Sequence, residues 1–192
     1  MSDQPTAPDK SALRKRMRDQ RRAFVQSLSE AERIAAEEAL ADHLEGLISR
    51  ASTVGLYVAT RYELSLKAVE KRLDAKRKIF AFPRMHDDGA GFDFRLGPCD
   101  ELGPHQIPQP NADAAGVTPD LILVPLIAVD SAGTRLGQGG GHYDRSLTTF
   151  PNAILIGIGW AIQRDAGIFP REAWDIPLDG FASDTGLEFF RS

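Results

Sequence analysis

The chain has 192 residues, of which 42% are hydrophobic and 26% are charged, and its formal net charge at pH 7 is −4. This composition is that of a globular protein able to bury a sizeable core, and the acidic balance argues against a general electrostatic attraction to nucleic acid. The one cysteine, Cys99, excludes an intramolecular disulfide bond and a cysteine metal cluster.

The amino-terminal residues 1–9 are expected to form a flexible tail, because they are mostly polar and lack the hydrophobic stretch of a signal peptide. Residues 10–192 are predicted to form one α/β domain. The sequence contains no apolar run long enough to span a membrane. We therefore expect a cytoplasmic protein with neither a membrane nor a nucleic-acid partner. The sequence does not determine the oligomeric state, for which a monomer is the favoured expectation.

Two helices are predicted before any strand. Apolar residues recur at helical spacing in the first of them, at Leu13, Met17, Phe24 and Leu28. The second begins at a capping box, because Glu32 follows Ser29 by three residues. Its predicted buried stripe consists of Ile34, Leu40, Leu44 and Leu47. Basic residues crowd the remaining face of the first helix, and the simplest interpretation of most of them is a solvated surface.

The strands alternate with helices after this point. Apolar or β-rich runs predict strands at residues 53–59, 78–82, 93–96, 121–127, 153–160 and 180–183. A helix at residues 66–73 separates the first two strands, another begins near His142, and the glycine- and proline-rich residues 97–119 are predicted to be irregular. This order predicts a three-layer α/β/α fold with a mostly parallel sheet.

A glycine-rich segment follows the central predicted strand, with glycines at positions 133, 137, 139, 140 and 141. Glycine permits positive φ and close approach to a ligand, so successive N–H groups can form an anion-binding nest at the start of the next helix. Arg135 and Arg145 flank the nest and can each donate two hydrogen bonds to phosphate oxygens. The pattern is neither a Walker motif nor a dinucleotide fingerprint, and the alternative is a flexible surface loop.

Asp144 comes directly after the predicted nest, where a carboxylate can hold a magnesium ion that bridges phosphates. The alternative is an aspartate that only stabilises the start of the helix. Glu63 follows the first predicted strand, as the nest follows the central strand. Since ligands bind beyond the carboxyl ends of parallel strands, these segments are expected to share one cleft.

Residues 121–147, LILVPLIAVDSAGTRLGQGGGHYDRSL, resemble the signature of the 5-formyltetrahydrofolate cyclo-ligases, also called methenyltetrahydrofolate synthetases. The resemblance extends over most of the chain and includes, in chain order, Lys10, Arg14, Glu63, residues 107–110 (IPQP), Gln163, Trp174 and Asp175. The chain departs from the family pattern at Gln109, Gly140, His142 and Trp174, where family members often carry glutamate, lysine, tyrosine and histidine.

The resemblance implies that ATP and magnesium drive the conversion of 5-formyltetrahydrofolate to 5,10-methenyltetrahydrofolate, with release of ADP and phosphate. The implied ATP ligands are Lys10, Arg14, Arg135, Gly137, Gln138, Gly139, Gly140, Gly141, His142 and Tyr143. The implied folate ligands are Leu56, Glu63, Gln138, Gly139, Gly140, Gly141 and His142. Asp144 and Asp175 are the implied magnesium ligands, and Glu63, Arg135 and Arg145 are the implied catalytic residues.

Each of these assignments has an alternative in the sequence. Lys10 and Arg14 fit a solvated helix face, Glu63 fits a helix cap, and Asp175 fits a surface pair with Arg171. Two alternative function classes are also open. One is a non-catalytic module that binds a nucleotide or folate, and the other is an enzyme of another class on a similar sheet, such as a sugar-phosphate isomerase.

Overall fold

The structure, a computed structural model, describes residues 10–190, so the predicted tail at residues 1–9 lies outside the described residues. The helices are α1 Lys10–Ser27, α2 Glu30–Arg50, α3 Lys67–Ala75 and α4 His142–Leu147. The strands are β1 Thr53–Gly55, β2 Ile79–Met85, β3 Phe92–Arg95, β4 Glu101–Leu102, β5 Pro108–Gln109, β6 Gly116–Val117, β7 Leu121–Pro125, β8 Ala128–Val129, β9 Arg135–Leu136, β10 Ile154–Ile158, β11 Gly180–Ser183 and β12 Gly186–Phe189. Single 3-10 turns lie at Pro104–Gln106 and Ala161–Gln163.

The two predicted helices precede the first strand, and the capping box forms as predicted. The Glu32 backbone N–H donates to Ser29 Oγ at 3.3 Å, and the Ser29 N–H donates to Glu32 Oε2 at 2.8 Å. The predicted burial of Ile34 is wrong, because this side chain is 54% exposed. Ile34 lies six residues before Leu40, which places it roughly 240° around the helix from the buried face. No helix in the described residues combines the length and hydropathy that a membrane crossing requires.

The main sheet has eight strands in the order β12-β11-β10-β7-β1-β2-β3-β6. Strands β11, β10, β7, β1 and β2 run parallel, whereas β12, β3 and β6 pair antiparallel at the two edges. Along β7, Leu121 and Leu123 join the core beneath α2 and α3, while Ile122 and Val124 join the core on the opposite face beside α4. The predicted mostly parallel α/β fold is therefore confirmed.

Strand β1 ends at Gly55 rather than at Ala59 as predicted. The Phe94 ring packs against Gly55 so closely that a Cβ there would lie 2.7 Å from Phe94 Cζ. The Leu56 N–H still donates to Ala81 O at 2.8 Å, after which the chain leaves the sheet. The Tyr57 hydroxyl closes the loop that follows by donating to Leu64 O at 2.6 Å.

The chain reverses its direction of travel across the sheet between β1 and β7. From β1 it moves outward to β2, and it then returns to β7 on the other side of β1 before it continues to β10. Neighbouring connections diverge at such a switch point, which opens a crevice at the carboxyl ends of the strands. The loop bearing Glu63 and the glycine-rich segment leave the sheet at this crevice.

Candidate active site

A cleft of about 670 Å³ opens at the switch point between β1 and β7. Most of the site residues predicted from the sequence line it: Lys10, Arg14, Glu63, Arg135, Gly137, Gln138, Gly139, Gly140, Gly141, His142, Tyr143, Asp144 and Asp175. The structure thus brings the amino-terminal cations, the glycine-rich segment and Glu63 together, although they are far apart in sequence. Leu56 and Arg145 do not line the cleft.

The glycine-rich segment begins at a hairpin formed by β8 and β9. Between these strands, the buried carboxylate of Asp130 accepts hydrogen bonds from the N–H groups of Ala132, Thr134 and Phe169 at 2.7 to 2.9 Å. These bonds fix the turn that leads into β9 and connect it to the segment beyond β10. The glycine loop, residues 137–141, therefore begins at a hairpin held by hydrogen bonds and ends at the first turn of α4.

Arg135 lies beneath the glycine loop with its side chain only 4% exposed. Its Nη2 donates to Asp144 Oδ1 at 2.5 Å, and its guanidinium carbon lies 5.7 Å from the centre of the Tyr143 ring. Its Nη1 is buried and has no hydrogen-bond partner among the described residues. A buried donor without a partner is rare and costly, and an anionic ligand oxygen in the cleft can satisfy it.

The glycine loop needs glycine at position 141. Gly141 is the N-cap of α4 with a left-handed φ of 66°, and a Cβ there would lie 2.8 Å from Arg145 Nη1. We expect Gly141→Ala to lower the free energy of unfolding by about 1–2 kcal/mol, since left-handed backbone is unfavourable for alanine. Urea unfolding measures this loss.

Gly137→Ala is the matched control within the same loop. Gly137 is not among the glycines with positive φ, and a Cβ there would meet only Arg135 Nε, at 4.0 Å. We expect its unfolding free energy to change little. Equal losses in the two variants would contradict the account of Gly141.

Basic side chains of α1 extend toward the cleft and the glycine loop. Lys10, Arg14 and Arg18 are four residues apart, so they share one face of the helix. Arg14 Nε donates to Gly137 O at 2.9 Å, and Arg18 donates to Gln138 O and Oε1 at 2.9 to 3.2 Å. Arg14 and Arg18 therefore contact the glycine loop, and neither belongs to a helix face that contacts only solvent. Arg18 was not singled out from the sequence, although its spacing from Arg14 was a usable signal.

Asp175 and Asp144 are each paired with a cation in the cleft. Asp175 Oδ2 accepts from Lys10 Nζ at 3.2 Å and from the Glu172 N–H at 2.8 Å, so its ion-pair partner is Lys10 rather than Arg171. Asp144 is paired with Arg135. Within residues 10–190, no group of three or more His, Cys, Asp or Glu side chains is arranged to hold a metal ion.

Glu63 lies in a tight turn after β1, with its side chain 12% exposed. Its Oε2 accepts from the Thr60 N–H at 2.8 Å, and its Oε1 lies 3.9 Å from Nη1 of the buried Arg21. Burial lowers the pKa of Arg21, and the carboxylate of Glu63 opposes that shift. Glu63 does not cap α3, because Leu66 occupies the N-cap position.

The Glu63 carboxylate also affects the pKa values of two tyrosines. Burial raises the pKa of Tyr57 and of Tyr143, and the Glu63 carboxylate contributes further to both increases. Both tyrosine side chains line the cleft. Neither Arg21 nor Tyr57 was identified from the sequence, because their proximity to Glu63 depends on how α1 docks on the sheet.

Leu56 and Arg145 lie elsewhere than the resemblance implied. Leu56 is completely buried in the core, and Val58, from the same loop, lines the cleft. Arg145 is exposed and supports the loop from outside, since its Nη2 donates to Gly140 O at 2.8 Å. Burial and, to a lesser extent, Arg145 lower the pKa of His142.

Gln163 does not line the cleft, and its side chain instead binds the backbone. Its buried side-chain amide donates to Leu126 O at 2.8 Å and to Ile127 O at 3.0 Å. These bonds satisfy the backbone where the chain leaves β7. Trp174, in contrast, lines the cleft and is 69% exposed.

The sequence matches the profile of the 5-formyltetrahydrofolate cyclo-ligase family over residues 6–182. A Haemophilus influenzae protein named 5-formyltetrahydrofolate cyclo-ligase is 31% identical over 86% of this chain and 94% of its own length. An Escherichia coli K12 protein of the same name is 33% identical over 67% of this chain and 75% of its own length. The solved structure of Aquifex aeolicus 5,10-methenyltetrahydrofolate synthetase has a TM-score of 0.77 and 29% identity, covering 95% of this chain and 93% of that chain. The chain therefore belongs to the 5-formyltetrahydrofolate cyclo-ligase family.

Proposed function

We propose that the protein converts 5-formyltetrahydrofolate and ATP into 5,10-methenyltetrahydrofolate, ADP and phosphate, with magnesium as cofactor. The observation that carries this proposal is the buried Arg135, whose Nη1 has no hydrogen-bond partner within residues 10–190 and which lines the same cleft as the glycine loop and Glu63. The cleft thus combines donors for a polyphosphate with a carboxylate suited to the N–H groups of a folate. Family membership supports the same reaction.

The chemistry explains why a phosphate donor is needed. A formamide oxygen is a poor leaving group, so ring closure by N10 of the folate stalls at that oxygen. Transfer of the γ-phosphoryl group to the oxygen makes it a good leaving group, after which N10 attacks the formyl carbon and phosphate departs. The protein's contribution is to position the two substrates and to stabilise developing negative charge.

The triphosphate is assigned to the glycine loop and the cations around it. Arg135 is held by Asp144 and has Nη1 available for a phosphate oxygen. Arg14 already donates to the loop backbone, so it both shapes the nest and supplies positive charge. Lys10, which is paired with Asp175, lines the same cleft and is assigned to the triphosphate as a further cation. Arg145 supports the loop through Gly140.

The carboxylates in the cleft fit the ligand chemistry of magnesium. This ion is usually held by one or two carboxylates together with phosphate oxygens and water, so a cluster of three protein ligands is not required. The ion pairs and hydrogen bonds described above engage Oδ1 of Asp144 and Oδ2 of Asp175. These two aspartates would hold the ion, which supplies charge neutralisation at the phosphates when bound.

Glu63 is assigned to the folate. Its carboxylate is held by the Thr60 N–H and by the charge of Arg21, which fixes its orientation before substrate binds. A carboxylate in this position can accept hydrogen bonds from folate N–H groups and direct the formyl oxygen toward the γ-phosphate. This arrangement requires both substrates to be bound together.

Methenyl-folate absorbance tests the proposed reaction. The complete mixture of protein, 5-formyltetrahydrofolate, ATP and magnesium is expected to give methenyl product with one ADP per turnover. Omission of ATP or of magnesium is expected to abolish the signal. Binding of both substrates without any product would instead support the non-catalytic module.

Replacement of Asp144 by asparagine tests the magnesium assignment. The change preserves size but removes the charge that a divalent cation requires, so activity at ordinary magnesium is expected to collapse while the fold survives. Activity measured across a magnesium series, together with circular dichroism, checks both parts. Full activity at ordinary magnesium would contradict the assignment of Asp144 to magnesium.

A further inference from the structure

Two arginines hold backbone carbonyl groups of the glycine loop. Arg18, from α1, donates from Nη2 to Gln138 O at 3.2 Å, and its Nε and Nη2 both donate to Gln138 Oε1, at 3.1 and 2.9 Å. Arg145, from α4, donates from Nη2 to Gly140 O at 2.8 Å. Two peptide units of the loop therefore have a partner that fixes the direction of the carbonyl oxygen.

The two arginines hold the loop from outside the cleft. Residues 138–141 line the cleft, whereas Arg18 and Arg145 do not. The carbonyl oxygens that they hold therefore point away from the cleft. In a trans peptide unit the C=O and the N–H point in opposite directions. The N–H groups that share these two peptide units, those of Gly139 and Gly141, are accordingly directed toward the cleft.

The backbone of the loop has the alternation that is typical of an anion-binding nest. Gly139 and Gly141 have positive φ values of 107° and 66°, and Gly140 between them is not among the residues with positive φ. Successive residues of opposite hand bring their N–H groups to one side of the chain. The loop conformation thus agrees with the direction that the arginine contacts give to the two N–H groups.

We propose that Arg18 and Arg145 are positioning residues for the nest, which keep the N–H groups of Gly139 and Gly141 directed at phosphate oxygens of the nucleotide. The inference rests on the proposed function, which places the triphosphate at the glycine loop. A glycine-rich loop without such contacts can rotate its peptide units, and ligand binding then has to order them. Holding the units in advance lowers that cost. Arg145, for which the resemblance implied a catalytic role, acts in this way through the loop backbone.

The amide protons of the two glycines test the two contacts separately. A ¹⁵N-labelled protein is saturated with a non-hydrolysable ATP analogue and magnesium, and the amide ¹H shifts of Gly139 and Gly141 are measured. Donation to a phosphate oxygen deshields an amide proton, so both resonances of the parent protein are expected to move downfield. In Arg18→Ala, the movement of Gly139 is expected to be largely lost while that of Gly141 is retained. Arg145→Ala is expected to show the reverse.

The affinity for the same analogue tests the energetic effect of Arg18. Arg18→Ala is expected to raise the Kd about fivefold, which corresponds to about one net hydrogen bond. Arg22→Ala is the matched control, because it removes the same charge from the same helix. Arg22 lies four residues after Arg18, with its guanidinium carbon 5.7 Å from the centre of the Tyr62 ring. Its Kd and its Gly139 shift are expected to stay near the parent values.

Three results would overturn the proposal. In the first, Gly139 keeps its downfield movement in Arg18→Ala. In the second, each arginine variant removes the movement of both glycines equally, which would indicate general disorder of the loop instead of a change in one peptide unit. In the third, Arg22→Ala raises the Kd as much as Arg18→Ala, which would indicate that only the charge of α1 matters.

The outcomes also separate this inference from the proposed function. A parent protein that forms methenyl product, while neither glycine amide moves on binding the analogue, contradicts the inference alone. A parent protein that forms no methenyl product contradicts the proposed function, and that result is obtained before any variant is made.

Discussion

Arg135→Ala is expected to weaken ATP binding by about 1.5–3 kcal/mol, which is roughly a ten- to 150-fold loss of affinity. The side chain is nearly buried beneath the glycine loop, and its Nη1, which has no hydrogen-bond partner within residues 10–190, is the donor proposed to bind a phosphate oxygen. The variant also leaves the Asp144 carboxylate without its ion-pair partner, which adds repulsion toward the triphosphate. Calorimetry with a non-hydrolysable ATP analogue measures the effect.

Arg135→Lys is the matched control for charge. Lysine keeps the positive charge but lacks the planar guanidinium that can bind Asp144 and a phosphate oxygen at the same time. We therefore expect a loss of ATP affinity smaller than that of Arg135→Ala. Folate binding measured without nucleotide is expected to change little in either variant. An unchanged ATP affinity in a folded Arg135→Ala protein would show that the glycine loop is not the nucleotide site.

Glu63→Gln is expected to retain ATP binding and to lose cyclisation by about a hundredfold or more, the usual effect of removing a positioned hydrogen bond to a reacting group. Glutamine can still accept from the Thr60 N–H, so the turn is preserved while the charge is removed. Single-turnover formation of methenyl-folate measures the loss. Glu63→Ala is expected to lose folate binding as well, because no acceptor remains.

Glu172→Gln is the matched carboxylate control for Glu63. Glu172 lines the same cleft on the side of Lys10, and its contact with Lys10 Nζ is long, at 3.7 Å, and exposed. Its removal is therefore expected to leave cyclisation near the parent rate. Parent rates in both Glu63 variants would contradict the placement of the folate site, whereas a loss of ATP affinity in Glu63→Gln would indicate a nucleotide role.

Local patterns in the sequence predicted several elements of the fold. The continuous apolar run at residues 121–127 predicted the central strand, whose side chains are buried on both faces of the sheet, and the Ser29–Glu32 pair predicted the start of α2. The antiparallel edge strand β12 was not predicted. Two of its residues are exposed and two are half-buried, so its sequence lacks a strong alternating pattern.

The site was predicted least well where tertiary packing decides which way a side chain points. Leu56 is completely buried in the core beneath α2 and α3, and no local pattern in the sequence shows this. Successive side chains of a strand point to opposite faces of the sheet, so the residues that follow a strand depend on where the strand ends. The docking of α1 likewise brings Arg18 to the glycine loop and Arg21 to Glu63.

The transfer of the formyl oxygen to phosphate is the central step of the proposed reaction, and an isotope label follows it directly. The measurement uses 5-formyltetrahydrofolate carrying ¹⁸O in its formyl group, with unlabelled ATP, magnesium and water, and mass spectrometry of the released phosphate. We expect the ¹⁸O label to be recovered in inorganic phosphate in proportion to the methenyl product. Methenyl product accompanied by unlabelled phosphate would contradict phosphorylation of the formyl oxygen.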